Sequence, residues 1–372
     1  MSASFGRPPL WQRLRPYLTG FDGPLLAALL WLVAIGCIVL FSALQDAHVP
    51  FTDHLRNLAI GFLVLFVTAQ VPPHRLMQIA VPIYTVGIAL LLATAMFGLV
   101  RKGARRWLDL GVTVVQPSEV MKIAVPLMLA WYFQKREGLI RLKDFLIAAA
   151  ILLLPVALIA RQPDLGTALL VLSTGAFVIF FAGLSWRVIA LLLALAAAAA
   201  PVLWHFMHDY QRQRLLMLLD PQSDPLGKGF NIIQSMIAIG SGGVFGQGYL
   251  HGTQAHLNFV PESHTDFVFS VLAEEWGLAG NLVLLAAYTF LIMRGLVIAA
   301  GAPTLFSRLL AASITMIFFI YAFVNMGMVS GILPVVGVPL PFVSYGGTAL
   351  ITLMLGAGML LSIAKSKRLV QS

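Results

Sequence analysis

The sequence predicts an all-α polytopic membrane protein with ten transmembrane helices and a long extracytoplasmic loop between spans 7 and 8. Three observations predict it. The chain is 59% hydrophobic and only 10% charged, with a mean hydropathy of +0.90. Apolar runs such as 25–44 and 77–100 outlast the ~12 residues typical of a helix in a soluble domain and approach the roughly 20 that cross a bilayer. Between the seventh and eighth runs, 208–265 stays polar, and a loop of that length implies function.

The spans fall at 23–44, 56–71, 77–98, 118–134, 144–160, 165–183, 187–207, 266–293, 307–329 and 345–364. All of 1–372 reads as one integral membrane domain, with 1–22 and 365–372 as the termini. Arg7, Arg13 and Arg15 precede the first run. It lacks a small-residue cleavage site, so it reads as a retained span. The single cysteine, Cys37, lies within that run and leaves no intrachain disulfide or thiolate metal site.

An even span count puts both termini on one side. Arg75, Lys135, Arg136, Arg141, Lys143, Arg187, Arg294, Arg308, Lys365, Lys367 and Arg368 join the N-terminal arginines there, which makes that side cytoplasmic. The opposite side has fewer cations, in bunches: Arg101, Lys102, Arg105 and Arg106, then Arg161, then Arg212, Arg214 and Lys228. Two explanations stand. Asp109, Asp164, Asp209, Asp220 and Asp224 can neutralise them locally, or an anionic ligand binds there, since arginine forks suit phosphate oxygens.

Gln116-Pro117-Ser118-Glu119 opens the fourth span, with Pro where its missing donor is harmless and Ser118 or Gln116 as a cap. Glu119 and Lys122 are three apart and share a helix face, either neutralising each other or taking part in binding or proton movement. Arg161-Gln162-Pro163-Asp164 forms a tight turn in which Asp164 caps the sixth helix and touches a neighbouring loop.

In the long loop, Asp220-Pro221 and Asp224-Pro225 mark turns. Gly240, Gly242, Gly243, Gly246 and Gly248 are not a P-loop, because no Gly-Lys-Ser or Gly-Lys-Thr follows. They read as letting the backbone bend sharply against the bilayer surface. His205, His208, His251, His256 and His264 show no metal-ligand spacing and read as hydrogen-bonding residues.

Asp266 enters the eighth span. It is either a helix-capping or first-turn acid or a partly desolvated carboxylate suited to act as a base. Glu274 and Glu275 lie about two turns deeper, so at least one faces the interior. The proline- and glycine-rich 331–347 reads as a re-entrant or tightly turned segment.

Gln116-Pro117-Ser118-Glu119, Gln162-Pro163-Asp164-Leu165-Gly166-Thr167, His264-Thr265-Asp266-Phe267 and Gly337-Val338-Pro339-Leu340-Pro341 with Ser344-Tyr345-Gly346-Gly347 closely resemble the SEDS family. The resemblance implies a peptidoglycan glycosyltransferase of the cell inner membrane, polymerising lipid II on the outer face for cell elongation and rod shape. Asp266 matches the family's catalytic aspartate, which deprotonates the acceptor hydroxyl while undecaprenyl pyrophosphate leaves with inversion. Arg106, Arg161, Arg212, Arg214 and Lys228 are the candidates for the leaving group's charge, with a divalent cation (Mg or Mn) as a further one. Glu119 and Lys122 match positions near the family's central cavity, and Asp164 and Ser344 lie within the matched motifs.

The implied partners are a class B penicillin-binding transpeptidase and the elongation-complex membrane proteins MreC and MreD; no nucleic acid is indicated. Two rivals stand beside this reading: a lipid II flippase or transporter, since charges at membrane depth also describe a translocation path, and a purely structural scaffold.

Overall fold

The computed structural model describes residues 20–45, 50–101, 104–109, 114–207, 212–213, 216–218, 220–224, 229–257, 259 and 262–371. Helices occupy each of the ten apolar runs: α1 (Gly23–Ala43), α2 (Phe51–Ala69), α3 (Pro73–Phe97), α4 (Pro117–Lys135), α5 (Leu142–Arg161), α6 (Leu165–Phe181) and α7 (Trp186–Phe206), then, after two helices within the long loop, α10 (Val268–Ala300), α11 (Leu305–Val329) and α12 (Thr348–Gln371). Seven of them, α1, α2, α3, α5, α10, α11 and α12, are long and apolar enough to cross a membrane. Proline opens α3 and α4, and Asp164 caps α6 by accepting from Thr167 N at 3.3 Å. Gln116 stands at the cap position of α4, but neither it nor Ser118 makes a side-chain cap bond there.

Burial ranks these helices. α4 is buried nearly all round, from Pro117 to Phe133, whereas the described side chains of α7 are exposed almost throughout. A helix apolar on every face needs either protein or lipid around it. α4 is surrounded by protein, while α7 leaves its apolar faces uncovered by this chain.

A small sheet departs from the all-α prediction, and helices within 208–265 depart from its reading as a loop. Between α3 and α4 a small antiparallel sheet forms from β1 (Leu99–Arg101), β2 (Ala104–Asp109) and β3 (Val114–Val115), with Leu99 opposite Trp107 and Leu108 opposite Val115. Strand alternation puts Arg106 on the same face as the buried Leu108, toward the bundle. The second departure is in the long loop. It holds a 3-10 turn at Pro221–Ser223, a twelve-residue helix α8 (Phe230–Ser241) and a single turn α9 (Thr253–His256). α8 buries Ile232, Ser235 and Ala238, a helical spacing, and Ser235 Oγ donates to Val329 O on α11 at 2.9 Å.

The eighth span is two rods, not one. Gly277 has φ 62° and ψ −157° inside α10, which frees peptide groups on both sides of the break. The glycine run answers them. Gln247 N donates to Glu274 O at 2.9 Å, Gly248 N to Glu275 O at 3.1 Å, Leu278 N to Gly243 O at 3.0 Å and Ala279 N to Val244 O at 3.0 Å. The backbone bends sharply here, with positive φ at Gly243, Gly246 and Gly248, and Gly242 and Gly246 lie close against the α10 backbone. A methyl on Gly246 would lie 2.0 Å from Glu275 O.

Glu274 and Glu275 are both buried beside the break. Glu274 accepts from Gln254 N at 2.8 Å and Thr253 Oγ1 at 3.2 Å, while Glu275 accepts from Ser42 Oγ on α1.

The 331–347 segment is irregular, as predicted, and buried from Leu340 to Ser344. Irregular backbone at membrane depth survives only when protein groups satisfy it. Tyr288 Oη donates to Pro341 O at 2.6 Å and Asn325 Nδ2 to Val338 O at 2.7 Å. Gly36 admits the segment to α1, since a methyl there would lie 2.7 Å from Phe342 O.

Candidate functional site

Asp266 lies in a turn, 262–267, that ends where α10 begins. Phe267 is the cap residue and the first turn of α10 holds no acid, so Asp266 is not the helix-capping group. Thr265 N and Phe267 N both donate to Glu262 O, at 3.0 and 3.3 Å, which curls the turn. The carbonyl of Asp266 then points inward, where Asn325 Nδ2 on α11 donates to it at 2.7 Å. Asn325 is fully buried.

The re-entrant segment closes the other side. Tyr345 N donates to His264 O at 2.8 Å. Gly337 has φ 71°, and a methyl there would lie 3.3 Å from Asp266 Oδ2. Rings form a ladder alongside: Phe51 to His54 at 6.0 Å, His54 to Tyr345 at 5.9 Å and Tyr345 to His264 at 5.9 Å between centroids. Burial lowers the His264 pKa below its usual 6.5, and the nearby Glu262 charge opposes that shift.

A second cluster joins the sheet to the α6 start. Arg106 donates to Pro163 O and stands 3.9 Å from Asp164 Oδ1, while Gln116 Nε2 donates to Asp164 Oδ2 at 3.2 Å. The expected capping and loop contact of Asp164 are both present. On α4, Lys122 Nζ meets Glu119 Oε1 at 2.5 Å with both side chains nearly buried, and Lys122 lies 5.2 Å from the Tyr321 ring centre.

Gln116 and Glu119 line a cavity of ≈ 550 Å³ between α2, α3, α4 and α12. Its other walls are almost all apolar, among them Ile79, Ile83, Ile351 and Leu355.

The remaining predicted site residues are dispersed. Arg161 is exposed at the end of α5. Arg212 donates from Nε to Trp204 O at 2.9 Å and from a terminal nitrogen to His205 O at 2.8 Å, closing the end of α7. Ser344 is buried and accepts from Leu340 N at 2.7 Å, holding its own segment together. Arg214 and Lys228 lie outside the described residues, as do His208 and Asp209. His205 and His251 are hydrogen-bonded to Pro201 O and Tyr249 O, as the sequence suggested. Among the described residues no three His, Cys, Asp or Glu side chains converge on a metal position.

Sequence reasoning missed Asn325 and His54. A lone Asn in the apolar ninth span was the available signal, since buried polar groups in membranes have partners.

Comparisons with known proteins agree with this architecture. The peptidoglycan glycosyltransferase MrdB of Escherichia coli is 53% identical over 94% of this chain and 95% of its own length, and the peptidoglycan glycosyltransferase RodA of Treponema pallidum is 32% identical over 93% and 98%. Among solved structures, a chain of a peptidoglycan synthase complex that coordinates polymerization and crosslinking superposes with a TM-score of 0.80 at 36% identity, covering 94% of this chain and 99% of that one. The Thermus thermophilus rod shape determining protein RodA superposes with a TM-score of 0.71 at 32% identity, covering 94% and 98%. A family model matches residues 24–369, and the chain belongs to the FtsW/RodA/SpoVE family of cell cycle proteins.

Proposed function

We propose that this chain is a peptidoglycan glycosyltransferase that polymerises lipid II at the outer face of the inner membrane. It crosses the bilayer ten times with both termini cytoplasmic, and Asp266 lies on the periplasmic side. The observation that carries this reading is the pairing of a polar cluster with an apolar cavity: Arg106 and Gln116 both meet Asp164, and Gln116 and Glu119 are the polar edge of a ≈ 550 Å³ space whose other walls are almost all apolar. A polyprenyl diphosphate has that amphipathic form. The names of relatives as similar as 53% support the same activity.

In the proposed step, the acceptor sugar's hydroxyl oxygen forms a bond to the donor's anomeric carbon as the bond from that carbon to the diphosphate oxygen breaks. Asp266 receives the hydroxyl proton, undecaprenyl diphosphate leaves, and configuration inverts. The transition state resembles an oxocarbenium ion, and a positioned base contributes about 10² to 10⁴ in rate. Arg106 and Arg161 are the described cations assigned to the diphosphate. A divalent cation would add charge neutralisation there.

The superposition on a peptidoglycan synthase complex supports a penicillin-binding transpeptidase as the partner. Reconstitution with purified lipid II tests the whole reading. Asp266→Asn should abolish glycan polymer while lipid II binding survives; an undiminished polymer yield sinks it and favours the flippase alternative, which vesicle translocation of labelled lipid II then measures.

A further inference from the structure

We infer that Asn325 is a positioning residue for this reaction, setting the direction of the Asp266 carboxylate through the Asp266 main chain. The inference rests on reading Asp266 as the base. Asn325 is completely buried on α11, and its one amide nitrogen reaches two carbonyls, Asp266 O and Val338 O, each at 2.7 Å. Those carbonyls come from different parts of the chain: the turn that leads into α10, and the re-entrant segment whose Gly337 abuts the Asp266 carboxylate. A single side chain thus fixes the base to the surface it packs against.

The clamp adds to the backbone bonds within and beside the turn. The Thr265 and Phe267 amides both go to Glu262 O, Tyr345 N takes His264 O, and Ser270 N takes Phe267 O at 3.0 Å. The Asp266 carbonyl is the member of that turn held by a side chain from another helix. With the Asn325 donor removed, the part-buried Asp266 carbonyl loses that bond and the turn loses its tie to the buried Val338 carbonyl. The turn and the 331–347 segment can then separate, carrying the Asp266 Cα and its carboxylate with them, and a shift of about 1 Å in a catalytic group costs on the order of 10² in rate.

The amide's orientation follows from its neighbours, since two carbonyl oxygens demand its donor end. Asn325 Oδ1 has no hydrogen-bond partner and is buried. Asp at this position would have nearly the same shape but, ionised, would turn acceptors toward two acceptors and, protonated, would keep at most one of the two donations. Asn325→Asp therefore probes donation with little change in volume.

The experiment is polymerisation of purified lipid II by the full-length protein with its penicillin-binding partner, measuring kcat and KM separately, with lipid II binding and thermal stability alongside. Asn325→Asp should lower kcat by about tenfold to hundredfold, with KM and binding within about threefold. Unchanged kcat overturns the proposal, and so does a loss confined to KM. Where Asn325→Asp fails to fold, Asn325→Ser and Asn325→Ala decide. They leave similar space and differ in one O–H donor, so Ser should exceed Ala in kcat at equal stability; equal kcat overturns the clamp. Asp266→Asn is run in parallel. Full activity there removes the reading of Asp266 as base, whereas an inactive Asp266→Asn beside a fully active Asn325→Asp removes only the positioning role.

Discussion

Gly277 and Gly246 meet backbone to backbone, so closely that a methyl on Gly277 would lie 2.4 Å from Gly246 N. Both carry positive φ, 62° and 81°. A side chain at either position meets strain worth about 1–2 kcal/mol from the left-handed conformation as well as contact with main chain that has no room to move. Gly277→Ala and Gly246→Ala should each lower the thermal midpoint by several degrees and reduce folded yield. Gly240→Ala is the control: it lies on α8 with nothing within 4 Å of an added methyl, and it should be neutral or stabilising by about 0.5–1 kcal/mol. Fluorescence-detected size-exclusion after heating ranks the three variants.

The Glu119–Lys122 pair should show a different pattern. Removing one partner of a buried pair leaves an unpaired charge and destabilises by about 3–5 kcal/mol, whereas replacing both is often tolerated. Glu119→Gln and Lys122→Met should each lose folded protein, and the double variant should recover most of it. If the pair also serves the substrate, the recovered double variant stays inactive in lipid II polymerisation. Recovery of both stability and activity assigns the pair to structure alone.

Arg161 and Arg212 separate two uses of a cation. Arg212 is bonded to carbonyls at the end of α7, so Arg212→Ala should reduce stability by about 1 kcal/mol and leave the lipid II KM unchanged. Arg161 is exposed at the α5 terminus, and Arg161→Ala should raise KM with little change in thermal midpoint. The opposite assignment would follow if Arg212→Ala raised KM at constant stability.

Acid should weaken the His264 contact. Burial lowers its pKa in the folded protein below 6.5, so the native state keeps the ring neutral while the unfolded chain takes a proton. Above pH 6.5 neither state is protonated and the contact contributes in full; as pH falls from 6.5 through the lowered folded value, that contribution is lost. The thermal midpoint of the wild type should exceed that of His264→Asn most above pH 6.5, and the gap should narrow below it. A gap independent of pH between 5 and 8 contradicts the assignment.

The ten apolar runs were legible because a bilayer demands long apolar segments, and helices stand at each of them. The sheet at 99–115 was not, since its strands are two to six residues long and too short for a period to declare itself. α8 was hidden for another reason. Its Ile232, Ser235 and Ala238 face carries a serine, which made an amphipathic stripe read as polar loop. Asp266 was singled out as a candidate from its place at the head of an apolar run and from its motif. Asn325 was not, because its role depends on two carbonyls brought together only by the folded chain.

The paired break in the eighth span bears on how the protein enters its membrane. Until residues 243–248 arrive, the carbonyls of Glu274 and Glu275 and the amides of Leu278 and Ala279 lack the partners they have in the final fold. Each unsatisfied peptide group costs several kcal/mol in hydrocarbon. Residues 243–248 precede Gly277 in the chain, so a ribosome making the chain releases the strap before the helix that needs it. Completion of this helix is thus a joint event in which a glycine loop and an interrupted helix satisfy each other's peptide groups.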